Sequence, residues 1–599
     1  MTAPRAAKRS TNVARLEPSV SPHERLLGGA LFVTVLATYL LTASPYLGGG
    51  DNAEFVTIFA RGGVAHPSGY PLYCVLLRLL SWMPGGPALG SARATAIIGA
   101  VSVIALYRAC RAWGGSVAGA FVASGAYALS SLAWRLATEA EVFALEALFA
   151  AILLYLTAPR SGLTPERRAV ALAGAAGLAL TDHLTIVLLA PVGIYATVQA
   201  LRAVASPLKT VTLAVLAFGA GLSPYLYSYA VGRAPHGAYV WGDPGTWGGL
   251  WRHVTRADYG TFQLMASGAP ADPGAGVGRF FEQTASHALG LPLVIGVFGF
   301  AWAYRLARPE HPSRGEVLAL AATWASAGPL FALALSGPPD ALGATLVERF
   351  RLLPEVVLTI GVAWGLDAWP RFAQGRLFPF AVATLAMVAP CALHAWPEVR
   401  ADHSDALELY TENTLASAPP RAVLLGTGDY RLFSFLYAET IGLRPDVAYV
   451  DPHLLGYEWY KRRAGRALGA EVVPPDPSGD ETVTIAEQAM TLGRPVFVTD
   501  VFDPAVVNAF ASYPLGTLIR LLPHGTSPPL PEAVDQENAA VFSAFRRWDP
   551  VARDDAWAKA VLPAYPRPWI ALARIFERHG DAARAKRDRE RAAEWGGER

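Results

Sequence analysis

The stretch "AVALAGAAGLALTDHLTIVLLAPVGIYATVQAL" at residues 169–201 consists of two apolar runs that flank an aspartate and a histidine. A helix crosses a bilayer with about 20 mainly apolar residues, and the two runs predict spans at 168–182 and 184–201. An ionisable residue at membrane depth is costly and therefore points to function. The stretch thus predicts a membrane protein with Asp182 and His183 at one membrane face.

Apolar runs of similar length continue from residue 26 to residue 396. Of all residues, 53% are hydrophobic and 16% are charged, whereas a typical soluble domain has about 25% charged residues. The runs predict a polytopic α-helical membrane protein with about eleven spans. The predicted spans lie near 26–46, 90–109, 117–135, 141–158, 168–182, 184–201, 208–229, 286–305, 316–336, 350–368 and 376–396.

Lysine and arginine in short loops indicate how a membrane protein is oriented. They gather in the basic segment 1–25 and then in every second loop, which predicts a cytoplasmic N-terminus. An odd number of spans then places the C-terminal part on the extracytoplasmic side. We therefore expect an integral protein of a bacterial-type inner membrane or an equivalent membrane.

The excess of apolar residues ends at residue 396, which predicts a soluble region after it. The segments 422–428, 446–451 and 495–501 predict short strands that alternate with helices, as in a small parallel-sheet α/β domain. The turn "GTGD" after the first strand is compatible with an anion site at a helix N-terminus and with a plain turn. The tail resembles one tetratricopeptide-like (TPR-like) helix pair. The predicted regions are 1–25, 26–396, 397–530 and 531–599.

Ionisable residues collect at the predicted outer ends of the spans, although they lie far apart in sequence. Each has a structural alternative, such as helix capping for the carboxylates or an ordinary loop role for the histidines. Their convergence on one membrane face favours a functional site over all of these alternatives together. The residues are Asp51, Glu54, His66, Glu139, Glu141, Asp182, His183, Glu348, Arg349 and Arg351.

These residue types suit group transfer from a phosphate-bearing lipid. A carboxylate in a partly dehydrated cleft can act as general base for a hydroxyl acceptor. Arginine and histidine side chains suit a phosphate leaving group. A net charge of +2, without a basic stripe with interleaved aromatic residues, argues against a nucleic-acid partner.

Several motifs around these residues resemble the protein O-mannosyltransferase-like family, which includes the transmembrane protein 260 relatives. The likeness runs in collinear order over about residues 26–500. The family belongs to the GT-C superfamily of glycosyltransferases that use lipid-phosphate sugars. The motifs are "DNAEF" at 51–55, "GGVAHPSGYPLYCVLLRLL" at 62–80, "EAEVFALEALFAAILLYL" at 139–156 and "LALTDHLTIVLLAP" at 178–191.

The resemblance implies a GT-C-like membrane domain that moves a sugar, with mannose as the guess, from a polyprenyl-phosphate donor. The acceptor would be a hydroxyl of a protein or glycan on the extracytoplasmic side. The resemblance implies that Asp51 is the catalytic base, with Glu54 beside it. Arg349 and Arg351 are the candidates for binding the lipid phosphate. The residues expected to bind substrates are His66, Tyr70, Glu139, Glu141, Asp182 and His183.

Two alternatives and one cofactor question stay open at this stage. A lipid or sugar flippase, or a membrane-anchored assembly or binding protein, would also use such a chain. No cofactor is firmly predicted, although Asp51 with Glu141 could hold a divalent metal. The chain departs from the family pattern at Ser68, where proline is usual, and at Gly428–Arg431, where "GDYR" replaces "GDND". The second departure puts a ligand role for that turn in doubt.

Overall fold

The computed structural model describes residues 21–261, 273–286, 290–306, 312–335, 341–474, 479–500 and 503–596. Most of the predicted basic N-terminal segment 1–25, and part of the region between the predicted spans 208–229 and 286–305, therefore lie outside the described residues. The N-terminal two-thirds of the described chain is helical, and the rest combines helices with a sheet. The helical membrane class predicted from the sequence is confirmed.

The helices of the N-terminal part are short to medium in length and follow one another closely. They are α1 (Pro22–Leu41), α2 (Asn52–Arg61), α3 (Pro71–Leu79), α4 (Gly86–Ala112), α5 (Val117–Ala128), α6 (Ser131–Ala137), α7 (Phe143–Thr157), α8 (Pro165–Leu180), α9 (Ala190–Ala203), α10 (Pro207–Gly221), α11 (Tyr225–Arg233), α12 (Trp247–Val254), α13 (Pro273–Ser286), α14 (Leu291–Leu306), α15 (Arg314–Ala325), α16 (Ala341–Glu348), α17 (Leu352–Asp367), α18 (Pro370–Ala373) and α19 (Leu377–Asp402).

Each of the eleven predicted spans contains helix, but few are long single helices. Among the described residues, five helices are long and apolar enough to cross a membrane, or up to seven if each of two bent pairs counts once. One bent pair is α5 with α6, which meet at 66°. Other predicted spans correspond to shorter helices, such as α7 with 15 residues. The count of about eleven spans therefore stays a prediction.

Glycines bring α14 and α17 into close contact. A Cβ at Gly299 would overlap the Gly361 carbonyl, and one at Gly365 would overlap the carbonyl of Ile295. Small residues at facing positions let two helix backbones approach in a membrane, where packing drives helix association. Because α17 follows directly after the short 3-10 turn Arg349–Arg351, this packing also fixes the position of Arg349.

A two-stranded sheet joins the segment between α2 and α3 to the segment between α11 and α12. Strand β1 (Gly63–Val64) pairs in parallel with β2 (Tyr239–Val240). A Cβ at Gly63 would overlap the Tyr239 carbonyl, so only glycine permits this approach. The pairing places residues near 240 beside the loop that carries His66.

The C-terminal part contains a five-stranded sheet with the order β4-β3-β5-β7-β6. Strands β3 (Val423–Leu425), β4 (Ala448–Val450) and β5 (Val496–Val498) are parallel and correspond to the three predicted strands. The hairpin of β6 (Ser512–Leu515) and β7 (Leu518–Leu521) adds two antiparallel strands that the sequence analysis missed. The sheet is therefore mixed instead of wholly parallel.

Helices flank this sheet and form the tail. They are α20 (Ala406–Ser417), α21 (Asp429–Thr440), α22 (Glu458–Leu468), α23 (Glu481–Thr491), α24 (Pro504–Ala509), α25 (Pro531–Ser543), α26 (Ala556–Val561), α27 (Arg567–Arg578) and α28 (Ala582–Gly596). Helices α27 and α28 pack against each other. Phe542, Trp569 and Trp595 share one hydrophobic cluster with Leu515 of the sheet. The domain limits at 396, 397, 530 and 531 stay predictions.

Candidate active site

Asp51 lies at the start of α2 and forms an ion pair with Arg349. Its position is that of an N-cap residue, but its Oδ2 accepts a hydrogen bond from Arg349 Nη1 at 3.1 Å instead of capping the helix. The same nitrogen lies 3.5 Å from Glu141 Oε1. Burial raises the pKa of Asp51, but Arg349, His66 and His183 together outweigh burial and hold it below its ordinary value. Asp51 is therefore a carboxylate at neutral pH.

The glycines before Asp51 leave room for a tryptophan from the C-terminal part. A Cβ at Gly49 would overlap the indole ring of Trp557, and one at Gly50 would lie 3.4 Å from it. The Gly50 position is also 3.3 Å from Arg349 Nη1. The loop Gly48–Gly50 thus lies between Trp557 and the ion pair, and this packing sets where Asp51 stands.

Glu54 and His66 form a second pair beside Asp51. His66 Nδ1 lies 2.6 Å from Glu54 Oε2, and the backbone N–H of His66 donates to Glu54 Oε1 at 2.9 Å. The Tyr239 hydroxyl donates to the same oxygen at 3.0 Å. Burial lowers the pKa of His66, but the carboxylates of Glu54 and Asp51 more than reverse this and raise it to about 9. His66 is therefore a cation at neutral pH.

Tyr70 connects His66 to His183. The Tyr70 hydroxyl lies 3.3 Å from His66 Nε2, and its ring stacks on the His183 ring with centroids 5.8 Å apart. The backbone of Tyr70 is left-handed, with φ of 42°, which is uncommon for a residue with a side chain. His183 Nδ1 contacts the Thr185 hydroxyl and lies 3.4 Å from Glu146 Oε1.

Phe143 links the histidine side of the site to Arg349. Its ring centroid lies 5.2 Å from that of His183, and the Arg349 guanidinium lies over the same ring at 5.5 Å. These contacts bring together seven of the ten residues proposed from the sequence. They are Asp51, Glu54, His66, Tyr70, Glu141, His183 and Arg349.

Three proposed residues have other surroundings. Arg351 is buried and donates to Glu348 Oε1 at 2.9 Å, and Glu348 also pairs with Arg135. Glu139 lies against Gly48 and is influenced by the charges of Asp402 and Arg135. The carboxylate oxygens of Asp182 are buried, and neither has a hydrogen-bond partner among the described residues. The substrate-binding roles of these three residues stay predictions.

Helix α21 supplies residues that the sequence analysis did not place at the site. It packs against α2, where Arg61 donates to the Thr440 carbonyl at 2.9 Å. The Phe433 ring lies 6.0 Å from the His66 ring. Asp429, the first residue of α21, is exposed to solvent yet near enough to Asp51, His66 and Arg349 for their charges to affect it. The site therefore reaches solvent at Asp429, and we call this solvent-facing side the cleft.

The signal for Asp429 was present in the sequence. It is the last residue of the "GTGD" turn after β3, whose ligand role was doubted because the turn departs from the family pattern. Although Asp429 keeps contact with solvent, the protein atoms around its carboxyl group partly desolvate it and raise its pKa, and the negative charge of Asp51 raises the pKa further. A solvent-facing carboxylate opposite Asp51 could accept hydrogen bonds from hydroxyl groups of a substrate.

The site does not fit a metal ion. Across the described ranges, no group of three or more histidine, cysteine, aspartate or glutamate residues is arranged to hold one. Asp51 and Glu141, which could have shared a divalent ion, share the Arg349 guanidinium. The Arg349 guanidinium therefore already lies between the two carboxylates that would hold a metal ion.

Comparisons with known proteins agree with the motifs. Residues 51–203 match the N-terminal domain of protein O-mannosyl-transferase TMEM260. Over 573 residues the chain is 29% identical to protein O-mannosyl-transferase TMEM260 of Mus musculus, which covers 88% of this chain and 80% of the mouse protein. It is 24% identical over 479 residues to the tmem260 protein of Dictyostelium discoideum, covering 72% of this chain and 58% of that protein.

Two solved structures show weaker likeness. The S. cerevisiae Pmt1-Pmt2 O-mannosyltransferase complex bound to its sugar donor is 19% identical, with a TM-score of 0.30 and coverage of 36% of this chain and 34% of that chain. ArnT of Cupriavidus metallidurans bound to undecaprenyl phosphate is 15% identical, with a TM-score of 0.49 and coverage of 84% and 99%. Such scores carry no weight for fold or function.

The family match begins at Asp51 and includes His66, Tyr70, Glu141 and His183. Arg349 and Asp429 lie beyond it and reach the same cleft only through the fold. The resemblance seen in the motifs is confirmed: the chain is similar to TMEM260-type protein O-mannosyl-transferases, and the prediction of a glycosyltransferase is confirmed.

Proposed function

We propose that the chain transfers a sugar from a polyprenyl-phosphate donor to a hydroxyl of a protein or glycan on the extracytoplasmic side. Mannose is the sugar that the names of the relatives suggest. The observation that carries the proposal is the Asp51–Arg349 ion pair at the edge of the cleft. It sets an ionised base beside a fixed cation, which are the two charges that transfer from a lipid phosphate requires.

In this reaction the acceptor hydroxyl attacks the anomeric carbon of the sugar from the side opposite the phosphate. Asp51 takes the proton of that hydroxyl as the new bond forms. The bond between the anomeric carbon and the phosphate oxygen breaks, and polyprenyl phosphate leaves with the electron pair. Arg349 stabilises the charge that develops on the leaving phosphate. The product has the inverted anomeric configuration.

The remaining residues hold this geometry. Glu54 keeps His66 protonated, and His66 holds the Tyr70 hydroxyl. Tyr70 in turn stacks on His183, which forms an aromatic wall with Phe143. Asp429 faces the cleft from the C-terminal side, where it would bind hydroxyl groups of the acceptor or the sugar. The charged groups therefore surround the reacting atoms from two parts of the chain.

The direct test uses purified full-length protein in nanodiscs with polyprenyl-phosphate mannose and a hydroxyl acceptor. We expect labelled mannose to appear on the acceptor, with the anomeric configuration inverted. A flippase would instead move the labelled lipid between the leaflets of a vesicle without releasing sugar. Movement of this kind without transfer would overturn the proposal.

The rate of transfer should fall as the pH rises through about 9. The pKa of His66 is raised, so its cationic form is complete at neutral pH and is lost on the alkaline side. Loss of this proton leaves the buried Glu54 carboxylate without its cation. A pH profile of kcat/KM should show this alkaline limb, and His66→Gln should have lower activity without it. A wild-type profile that stays flat beyond pH 9 would contradict the assignment.

Gly49→Ala should lower activity strongly because the new methyl group overlaps Trp557. The loop must shift, and a displacement of about 1 Å at a catalytic group can cost about 100-fold in rate. The double variant Gly49→Ala with Trp557→Ala should recover part of the loss, since the overlap is gone. Gly193→Ala is the matched control, because no atom lies within 4 Å of its Cβ position. Equal activity of the two single variants would contradict the prediction.

A further inference from the structure

A second group of polar residues lies at the carboxyl ends of the parallel strands in the C-terminal sheet. Strand β3 has β4 on one side and β5 on the other, so the chain reverses direction across the sheet at β3. In open α/β sheets, ligands bind at the carboxyl edge beside such a point. The residues there, which we call the Arg431 cluster, are Tyr410, Arg431, Tyr449, Thr499, Asp500 and Arg567.

Five polar atoms of the Arg431 cluster are buried, and none has a hydrogen-bond partner among the residues that the structure describes. The atoms are Tyr410 OH, Arg431 Nε, Tyr449 OH, Thr499 Oγ1 and Asp500 Oδ1. Buried polar groups are nearly always paired with protein or with an ordered molecule, because an unpaired group loses its water without compensation. A group of five at one sheet edge therefore indicates an occupant.

Gly426 lies directly against two of these hydroxyls. A Cβ at this position would lie 2.5 Å from Thr499 Oγ1 and 2.9 Å from the Tyr449 hydroxyl. The Gly426 backbone thus approaches both hydroxyls more closely than a residue with a side chain would permit. The surroundings are enclosed, since Thr499 is 0% exposed, Tyr410 1% and Arg431 7%. Surroundings this enclosed suit a small ion and not a long chain.

The charges of the Arg431 cluster favour an anion. Arg431 forms an ion pair with Asp500 at 2.7 Å, and Arg567 donates to the Thr499 carbonyl at 2.8 Å. Two guanidinium groups thus face one carboxylate. Burial lowers the pKa of Arg567, and the charge of Arg431 lowers it further. A negative ligand would relieve this repulsion.

We propose that the Arg431 cluster binds a free, protonated phosphate-type oxyanion. The ligand accepts hydrogen bonds from Arg431 Nε and from the hydroxyls of Tyr410, Tyr449 and Thr499. Its own P–OH group donates to Asp500 Oδ1, which can only accept a hydrogen bond. Sulfate has no proton to donate at neutral pH, so the cluster should select phosphate over sulfate.

This site is separate from the proposed catalytic cleft. The Tyr430 ring contacts the Arg431 guanidinium on one side, at 5.0 Å, and the Trp557 ring on the other, at 5.9 Å between centroids. Trp557 in turn lies against the loop before Asp51. The inference does not rest on the transferase proposal, and Asp51→Asn should bind phosphate at this site as the wild type does.

The test is calorimetric titration of the full-length protein in nanodiscs, in a phosphate-free buffer at pH 7.5. Inorganic phosphate should bind, and sulfate at the same ionic strength should not. Tyr449→Phe and Thr499→Val each remove one hydroxyl with little change of shape. Each should weaken phosphate binding about tenfold, as expected for a hydrogen bond to a charged ligand. Tyr437→Phe, at a similarly buried tyrosine on α21, should bind as the wild type does.

Several results would overturn the proposal. Absence of phosphate binding, or binding that Tyr449→Phe and Thr499→Val leave unchanged, would mean that the five atoms hold water only. Equal affinity for sulfate would remove the role of Asp500. Competition by polyprenyl phosphate would assign the site to a lipid headgroup instead of a free anion. A gain of thermal stability with phosphate, absent in both hydroxyl variants, would support the site independently.

Discussion

Asp51→Asn should abolish sugar transfer while the protein inserts and folds normally. The amide has nearly the same shape as the carboxylate but cannot take the proton of the acceptor hydroxyl. General-base catalysis contributes about 100- to 10,000-fold, so we expect kcat to fall by about 1,000-fold or more. The measurement is transfer of labelled mannose from polyprenyl-phosphate mannose under saturating donor and acceptor.

The matched control for this variant is Asp429→Asn, at the other carboxylate that faces the cleft. Asp429 has no ion pair with Arg349 and is exposed, so its loss should raise the KM for the substrate it contacts and change kcat less. The melting temperature of both variants should stay within a few degrees of the wild type. Undiminished transfer by Asp51→Asn would remove Asp51 from the mechanism.

The sequence predicted much of the site because membrane topology limits which residues can meet. Asp51, His66, Glu141 and His183 each follow or precede an apolar run, so the alternation of spans places them at one face. The structure brings these residues together. Their roles stay predictions, but the structure shows residues more than 100 positions apart in sequence within one site.

The partners of these residues could not be predicted from the sequence. No local pattern shows that Arg349 pairs with Asp51 while Arg351 pairs with Glu348, since both arginines lie in one short turn. A half-turn of helix separates a residue that faces the cleft from one that faces the protein interior. That difference depends on the close packing of α14 and α17, which only the three-dimensional structure shows.

The contacts that the C-terminal part makes with the site could not be predicted from the sequence either. Phe433 and Asp429 reach the cleft because α21 packs on α2, and Trp557 fills the space above Gly49. Such contacts join segments about 380 to 510 residues apart. The hairpin of β6 and β7 was not predicted because Pro514 lies inside β6, and proline argues against a strand. The two-residue turn Gly516–Thr517 was the available signal.

Arg349→Met should produce a loss of similar size with a different pH signature. Without the guanidinium, the leaving phosphate loses its fixed cation, which in comparable sites costs about 100- to 1,000-fold in kcat. The pKa of Asp51 should also rise, because Arg349 contributes most among the groups that hold it low. The acid limb of the pH profile should therefore move to higher pH, a shift that a merely unstable protein would not show.

Arg349→Lys separates charge from geometry. Lysine keeps the positive charge but lacks the planar group that binds carboxylate and phosphate oxygens side by side. We expect it to restore the acid limb of the profile while activity stays well below that of the wild type. Arg351→Lys tests the other arginine proposed to hold the lipid phosphate. Because Arg351 is buried against Glu348, its replacement should lower stability more than the affinity for the donor. If Arg351→Lys raised the donor KM while Arg349→Lys did not, the phosphate-binding role would pass from Arg349 to Arg351.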